Sequence, residues 1–343
     1  MILSHRLRAA AGGTPYSGDI VVGHGGSPYI TAYPWDSGFG TKYSDPSTPL
    51  PRECFDVGFS PNGTELAAAH FASPFVTVYS WDSGFGTKFS DPSTLPTSGA
   101  TSARGVAFSP DGSYLAVSVL YSPYINVYQW SSSGFGTKYS NPSTLPPSNG
   151  LIVTFSPDGT DIAVSHSSSP CVSVYPWSSS GFGAKYSNPS TLPTTHGRSV
   201  AFSPDGTDIA VAHTSSPRIS VYPWDSGFGA KYSNPSTLPP NQGADVVFSP
   251  DGTDIAIAHR SSPYISVYPW DSGFGTRYSN PSTLPSSNGN GVAFTPDGEN
   301  IAVAHNNSPF ITAYPWDSGF GTKYSDPSTL PASTSYKVAF SPA

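Results

Sequence analysis

Tryptophan occurs seven times, at Trp35, Trp81, Trp130, Trp177, Trp224, Trp270 and Trp316, and successive copies are 46, 49, 47, 47, 46 and 46 residues apart. Each copy is followed by Gly-Phe-Gly, as at Gly38-Phe39-Gly40, and preceded by a Ser-Pro step such as Ser262-Pro263-Tyr264. A period near 46 built from short apolar runs marks one supersecondary unit repeated seven times, the signature of a propeller blade. Composition agrees. The 37 prolines among 343 residues exclude long helices, because each proline in a helix interior costs about 3 kcal/mol. Charged residues make up 11% and aromatics 13%, the reverse of a disordered polymer.

One unit, residues 245–281, predicts four strands. Residues 245–248 form strand A, and Ser249-Pro250-Asp251-Gly252 is a hairpin turn, with proline presetting φ and glycine supplying a left-handed residue. Strand B covers 255–259, where Ile255, Ala256, Ile257 and Ala258 alternate large and small, as a strand packed on both faces must. Strand C covers 264–268, and a short outer strand D covers 276–279. At the N-terminus the first repeat begins with strand B at Asp19–His24, whereas the C-terminal Lys337–Pro342 matches strand A and stops there. The expected fold is an all-β, seven-bladed propeller of four-stranded antiparallel blades. It spans residues 18–343 behind an arm of residues 1–17, with one composite blade from 18–47 and 335–343. Such closure removes two exposed sheet edges.

Phe-Ser-Pro-Asp-Gly, a B strand and Ile-Ser-Val-Tyr resemble the WD-repeat and related bacterial propeller families. Tyr33, Tyr79, Tyr128, Tyr175, Tyr222, Tyr268 and Tyr314 stand where that family has tryptophan, and its Gly-His pair before strand A is absent. Its buried hydrogen-bond network is therefore not carried over. The form Ala-Val-Ala-His-x-x-Ser-Pro-Tyr-Ile, followed by Asn-Pro-Ser-Thr-Leu-Pro, is similar to arrays in tailed-phage structural and prophage proteins. That resemblance implies a virion or surface-adhesion role.

Two repeated constellations are candidate sites. Histidine ends strand B at His24, His70, His166, His213, His259 and His305, with Val119 in the remaining repeat. No second ligand recurs beside them, so the expectation is structural hydrogen bonding to the loop between strands B and C, and no metal. The other constellation is aromatic. It pairs Trp35 with Phe39, Trp81 with Phe85, Trp130 with Phe135, Trp177 with Phe182, Trp224 with Phe228, Trp270 with Phe274, and Trp316 with Phe320. These rings either present faces to sugar or protein, or pack at the outer edge of each blade.

Catalysis is not expected: the polar residues that do not repeat, Cys54, Arg104, Cys171, His196, Arg198, Arg218 and Arg260, are scattered along the chain. No nucleophile, P-loop or zinc motif is present. A formal charge of −7 and the lack of a basic stripe argue against nucleic acid. The absence of an apolar run of spanning length argues against membrane insertion, and no signal peptide is recognised. The sequence therefore predicts a non-enzymatic interaction module without cofactor, in a virion or outside the cell, binding virion or surface proteins or glycan. A purely structural scaffold is the alternative and a propeller enzyme the minor one.

Overall fold

The computed structural model describes residues 15–96 and 102–343. They form seven antiparallel sheets with no helix. Blade 1 is composite: Ser335–Phe340 pairs with Ser17–His24, placing Val22 opposite Val338 and Ile20 opposite Phe340. Blades 2 to 7 follow in chain order, with inner A strands Cys54–Phe59, Ala103–Phe108, Gly150–Phe155, Gly197–Phe202, Gly243–Phe248 and Gly289–Phe294. Strand D is the least regular element. It is a strand in blades 2, 3 and 4 and a single Trp–Phe bridge in the others, as between Trp270 and Phe274. In blade 6 strand C is therefore gripped twice, by Gly275 N–H to Pro269 and by Tyr278 N–H to Val267. The predicted span 276–279 holds only the second of these contacts, because residues 276–277 bulge between them.

The large-small alternation of strand B sets the packing between blades. Ile255 and Ile257 share a core with Ala210 and Ala212 of blade 5, while Ala256 and Ala258 meet Ile301 and Val303 of blade 7. Each seam thus places large side chains of one blade against small ones of the next, which fills the wedge between two twisted sheets.

The repeated tryptophans complete these seams. All seven are buried, with 6% exposure at most. Trp270 meets Phe274, Tyr232 and Phe248 edge to face at 5.0, 5.2 and 5.7 Å. Its Nε1–H donates to Asp208 Oδ2 of the preceding blade at 2.9 Å, and Tyr232 donates to the other oxygen of that carboxylate. The same bond joins Trp81 to Asp19, Trp224 to Asp161 and Trp316 to Asp254. At the other three seams the preceding blade offers Asn300, Glu65 or Tyr114 in place of aspartate, and Trp35, Trp130 and Trp177 are left with unpaired Nε1 atoms. The tyrosines in the place of the family tryptophan tie down the run to the next blade, as Tyr268 Oη does on the Thr237 carbonyl at 2.7 Å.

Candidate functional site

The aromatic constellation lies within the fold. With indole faces covered by phenylalanine and tyrosine edges, these rings are not free to stack on a sugar, and their role in the structure is packing. The phenylalanines from Phe39 to Phe320 form one wall of that packing.

The histidine ring is buried as well. Each Nε2 lies 2.8 to 3.1 Å from a hydroxyl seven residues later on strand C: Thr31, Thr77, Ser173, Ser220, Ser266 or Thr312. Contact with the loop between strands B and C is secondary, as at His166 Nδ1 and the Ser168 carbonyl. Burial lowers all six pKa values to about 4, so the rings are neutral at pH 7. Blade 3 replaces both partners, with Val119 for histidine and Asn126 for the hydroxyl. Among the described residues no group of three or more His, Cys, Asp or Glu could hold a metal ion. Cys54 and Cys171 are both free and buried.

Chemistry gathers elsewhere, at the central channel mouth where the A strands begin. A cavity of roughly 360 Å³ is lined by Phe55, Arg104, Arg198, Asp245, Arg260, Asn290, Asn306, Tyr336 and Lys337 among others. Three of the arginines that look scattered in the sequence thus meet here: Arg104 and Arg198 are the second residues of strand A in blades 3 and 5, and Arg260 directly follows strand B of blade 6. Cys54, Cys171, His196 and Arg218 do not join them. The cavity holds four cations and one carboxylate in a chain whose formal charge is −7.

Its floor is a buried ionic network. Lys337 Nζ donates to Asp245 Oδ2 at 2.7 Å; the Val292 N–H reaches the same oxygen at 3.0 Å, and Ser199 Oγ donates to Oδ1 at 2.7 Å. Lys337 reaches Asp245 across blade 7 because Gly291 stands between them. A Cβ there would lie 2.8 Å from the Tyr336 carbonyl oxygen and 2.9 Å from Lys337 Cα. Asp56 belongs to the same network on the other side of Lys337, accepting from the N–H groups of Val57 and Val106. Burial pushes its carboxyl up to about 6 even though Lys337 pulls the other way. Burial opposes the Lys337 ammonium too, but Asp245 and Asp56 outweigh it and hold that pKa above the ordinary lysine value.

Above the floor, the Arg104 guanidinium lies 3.8 Å over the Phe55 ring, and Phe55 tilts against Tyr336 at 5.2 Å. Among the described residues, none of Arg104, Arg198 and Arg260 has a carboxylate within ion-pair distance. Arg104 and Arg198 lie within each other's field, as do Arg198 and Arg260. Unpaired, partly desolvated guanidiniums in mutual repulsion favour an oxyanion between them. Sequence reasoning missed Asp56, Asp245, Lys337, Phe55 and Tyr336. The available signal was the contrast along strand A, whose fourth residue is valine in all seven repeats while its second and third never recur as the same pair.

No family model and no curated protein sequence matches the chain. Many solved structures share its fold. A functionally unknown protein from Desulfotomaculum acetoxidans is 14% identical with a TM-score of 0.72, covering 95% of this chain and 99% of that one. The periplasmic gluconolactonase of Pseudomonas aeruginosa is 19% identical with a TM-score of 0.70 over 95% and 99%. A candidate 6-phosphogluconolactonase from Bacteroides uniformis is 18% identical with a TM-score of 0.69 over 94% and 99%. These likenesses support the propeller but neither the WD-repeat nor the phage resemblance. They also correct the expectation of a non-enzymatic module or scaffold, since proteins named as lactonases stand among the neighbours and three of the seven supposedly scattered polar residues converge. No helix of the described residues is long and apolar enough to cross a membrane; nothing here points to a virion.

Proposed function

We propose that the chain is a propeller hydrolase that opens a cyclic ester of a small organic acid at the channel mouth. One observation carries this reading: in a molecule otherwise repeated sevenfold, Arg104, Arg198, Arg260, Lys337 and Asp245 form a single asymmetric cluster. The names of the lactonase neighbours support the reaction type. Lactone opening needs a base for the attacking water and positive charge for the oxyanion that forms at the carbonyl. Asp245 is the base, held in place by the N–H and ammonium donors around it. Lys337 and the guanidiniums of Arg198 and Arg260 supply the positive charge. Water adds to the carbonyl carbon as its proton passes to Asp245; the ring C–O bond then breaks, and the departing alkoxide takes that proton.

The test is acid release from glucono-δ-lactone and its 6-phosphate, measured against spontaneous hydrolysis. Asp245→Asn should lower kcat by roughly 10²- to 10⁴-fold, and Arg198→Ala should act in the same direction. No acceleration of either lactone by the unaltered protein, or full activity in both variants, would refute the assignment.

A further inference from the structure

The residue after the Ser-Pro step between strands B and C has the same left-handed backbone in every blade, with φ between 69° and 73°. Its side chain therefore leaves each blade in an equivalent direction. In six blades that side chain is large: Tyr29, Phe75, Tyr124, Arg218, Tyr264 and Phe310. Tyr29 of blade 1 packs against a core that includes Leu50 and Cys54, and Phe75 of blade 2 shares a core with Ala103 of blade 3. Blade 4 carries Cys171 instead, one of the polar residues that do not repeat. Counted from the Asp-Pro or Asn-Pro step, the counterparts of Leu50 and Cys54 are Pro193 and Gly197. The Cys171 backbone sits tightly there, since a Cβ on Gly197 would lie 2.1 Å from the Cys171 carbonyl oxygen. The thiol donates to the Thr195 carbonyl at 3.0 Å. Where five blades present a ring, blade 4 has a cavity of roughly 430 Å³, lined by Cys171, Leu192, Pro193, Thr194, Thr195 and His196 among others.

We propose that this cavity binds a small molecule of the phenol class, its single aromatic ring taking the place that tyrosine or phenylalanine holds in the other blades. The site is separate from the hydrolase reading, because none of its lining residues belongs to the channel-mouth cluster. Its volume falls in the range of small-molecule sites, which join apolar walls to a few polar groups. Leu192 and Pro193 supply the walls, and the exposed His196 supplies a nitrogen for the hydroxyl. At the position of His196 the other repeats carry Glu53, Ser102, Asn149, Gln242, Asn288 and Thr334. The small residue at 171 and the imidazole at 196 are thus two departures from the repeat that line one cavity. A ring that arrives from solution loses translational freedom that a tethered side chain does not, so the affinity of a minimal probe is modest.

Nuclear magnetic resonance titration with phenol and with cyclohexanol, followed at the His196 imidazole, tests the site without requiring turnover. Phenol should bind with a Kd of about 1 mM or tighter and shift the His196 resonances. Cyclohexanol, of similar size but not flat, should bind about threefold more weakly or worse. Cys171→Tyr copies blade 6, where Tyr264 already adopts φ 71°. Its own ring should take the place and weaken phenol about tenfold or more. Cys171→Ser keeps the side chain small and should bind phenol as the unaltered protein does, which separates the shape of the cavity from the chemistry of the thiol. Leu192→Ser, at an exposed position, should weaken phenol as well and decides the matter if the tyrosine variant does not fold. An unmoved His196, equal affinity for cyclohexanol, binding that survives Cys171→Tyr or Leu192→Ser, or binding lost in Cys171→Ser overturns the site and leaves the hydrolase reading intact.

Discussion

Acid should destabilise this propeller through its buried histidines as the pH falls from 7 to 5. Six imidazoles are held neutral in the fold with pKa values lowered by burial to about 4, against 6.5 in the free side chain. Between those two values the unfolded chain binds more protons than the folded one, so stability rises with pH across this window. The contribution is complete above about 6.5, shrinks as the pH falls and stops shrinking below about 4. At pH 5 each ring costs about 2 kcal/mol relative to pH 7. Asp56 acts in the opposite direction: its carboxyl is raised to about 6, so protonation in the fold returns about 1 kcal/mol over the same interval. The net loss is about 10 kcal/mol, comparable to the whole stability of a typical domain. Urea unfolding at pH 7, 6 and 5 measures it. Blade 3 supplies the control, because its Val119 and Asn126 show that a blade can fold without the pair. Copying them as His259→Val with Ser266→Asn removes one titrating group and should reduce the loss between pH 7 and 5 by about 2 kcal/mol, whatever it does at pH 7. A stability independent of pH over this range, or an unchanged pH slope in the copy, would show that the rings are not held neutral by burial.

Two further outcomes follow from the seams. Asn300→Asp should give Trp35 Nε1 the acceptor it lacks while keeping the Tyr324 bond, raising stability by about 1–2 kcal/mol at pH 7; no gain in the urea midpoint would mean that the indole does not reach this side chain. Both seams of blade 3 lack the Trp–Asp bond, so its amides at 103–131 should exchange faster than those of blade 6 at 243–269. Equal protection would show that apolar packing alone sets seam strength.

Much of this architecture was legible because it repeats. Seven copies of Ser-Pro turns and Gly-Phe-Gly fix the strand boundaries, and the missing A strand of the first repeat predicts the pairing of Ser335–Phe340 with Ser17–His24. Strand D was misplaced because its two contacts, at Gly275 and Tyr278, flank a bulge that no alternation of side chains announces. The site was hidden for the opposite reason. Arg104, Arg198 and Arg260 are far apart in sequence and do not repeat, and their nearness depends on three blades turning about one axis. Asp245 and Lys337 were harder still, since what joins them is the missing side chain of Gly291.

The closing strand of blade 1 also furnishes Tyr336 and Lys337 to the cavity. Assembly of the ring and assembly of the site are thus one event, completed when Ser335–Phe340 pairs with Ser17–His24. A chain that stops short, or a propeller that springs open at this blade, loses the ammonium that neutralises Asp245 and with it the cavity floor. Occupancy of the site is consequently a direct readout of whether the circle is whole, so a damaged copy would be silent rather than indiscriminate.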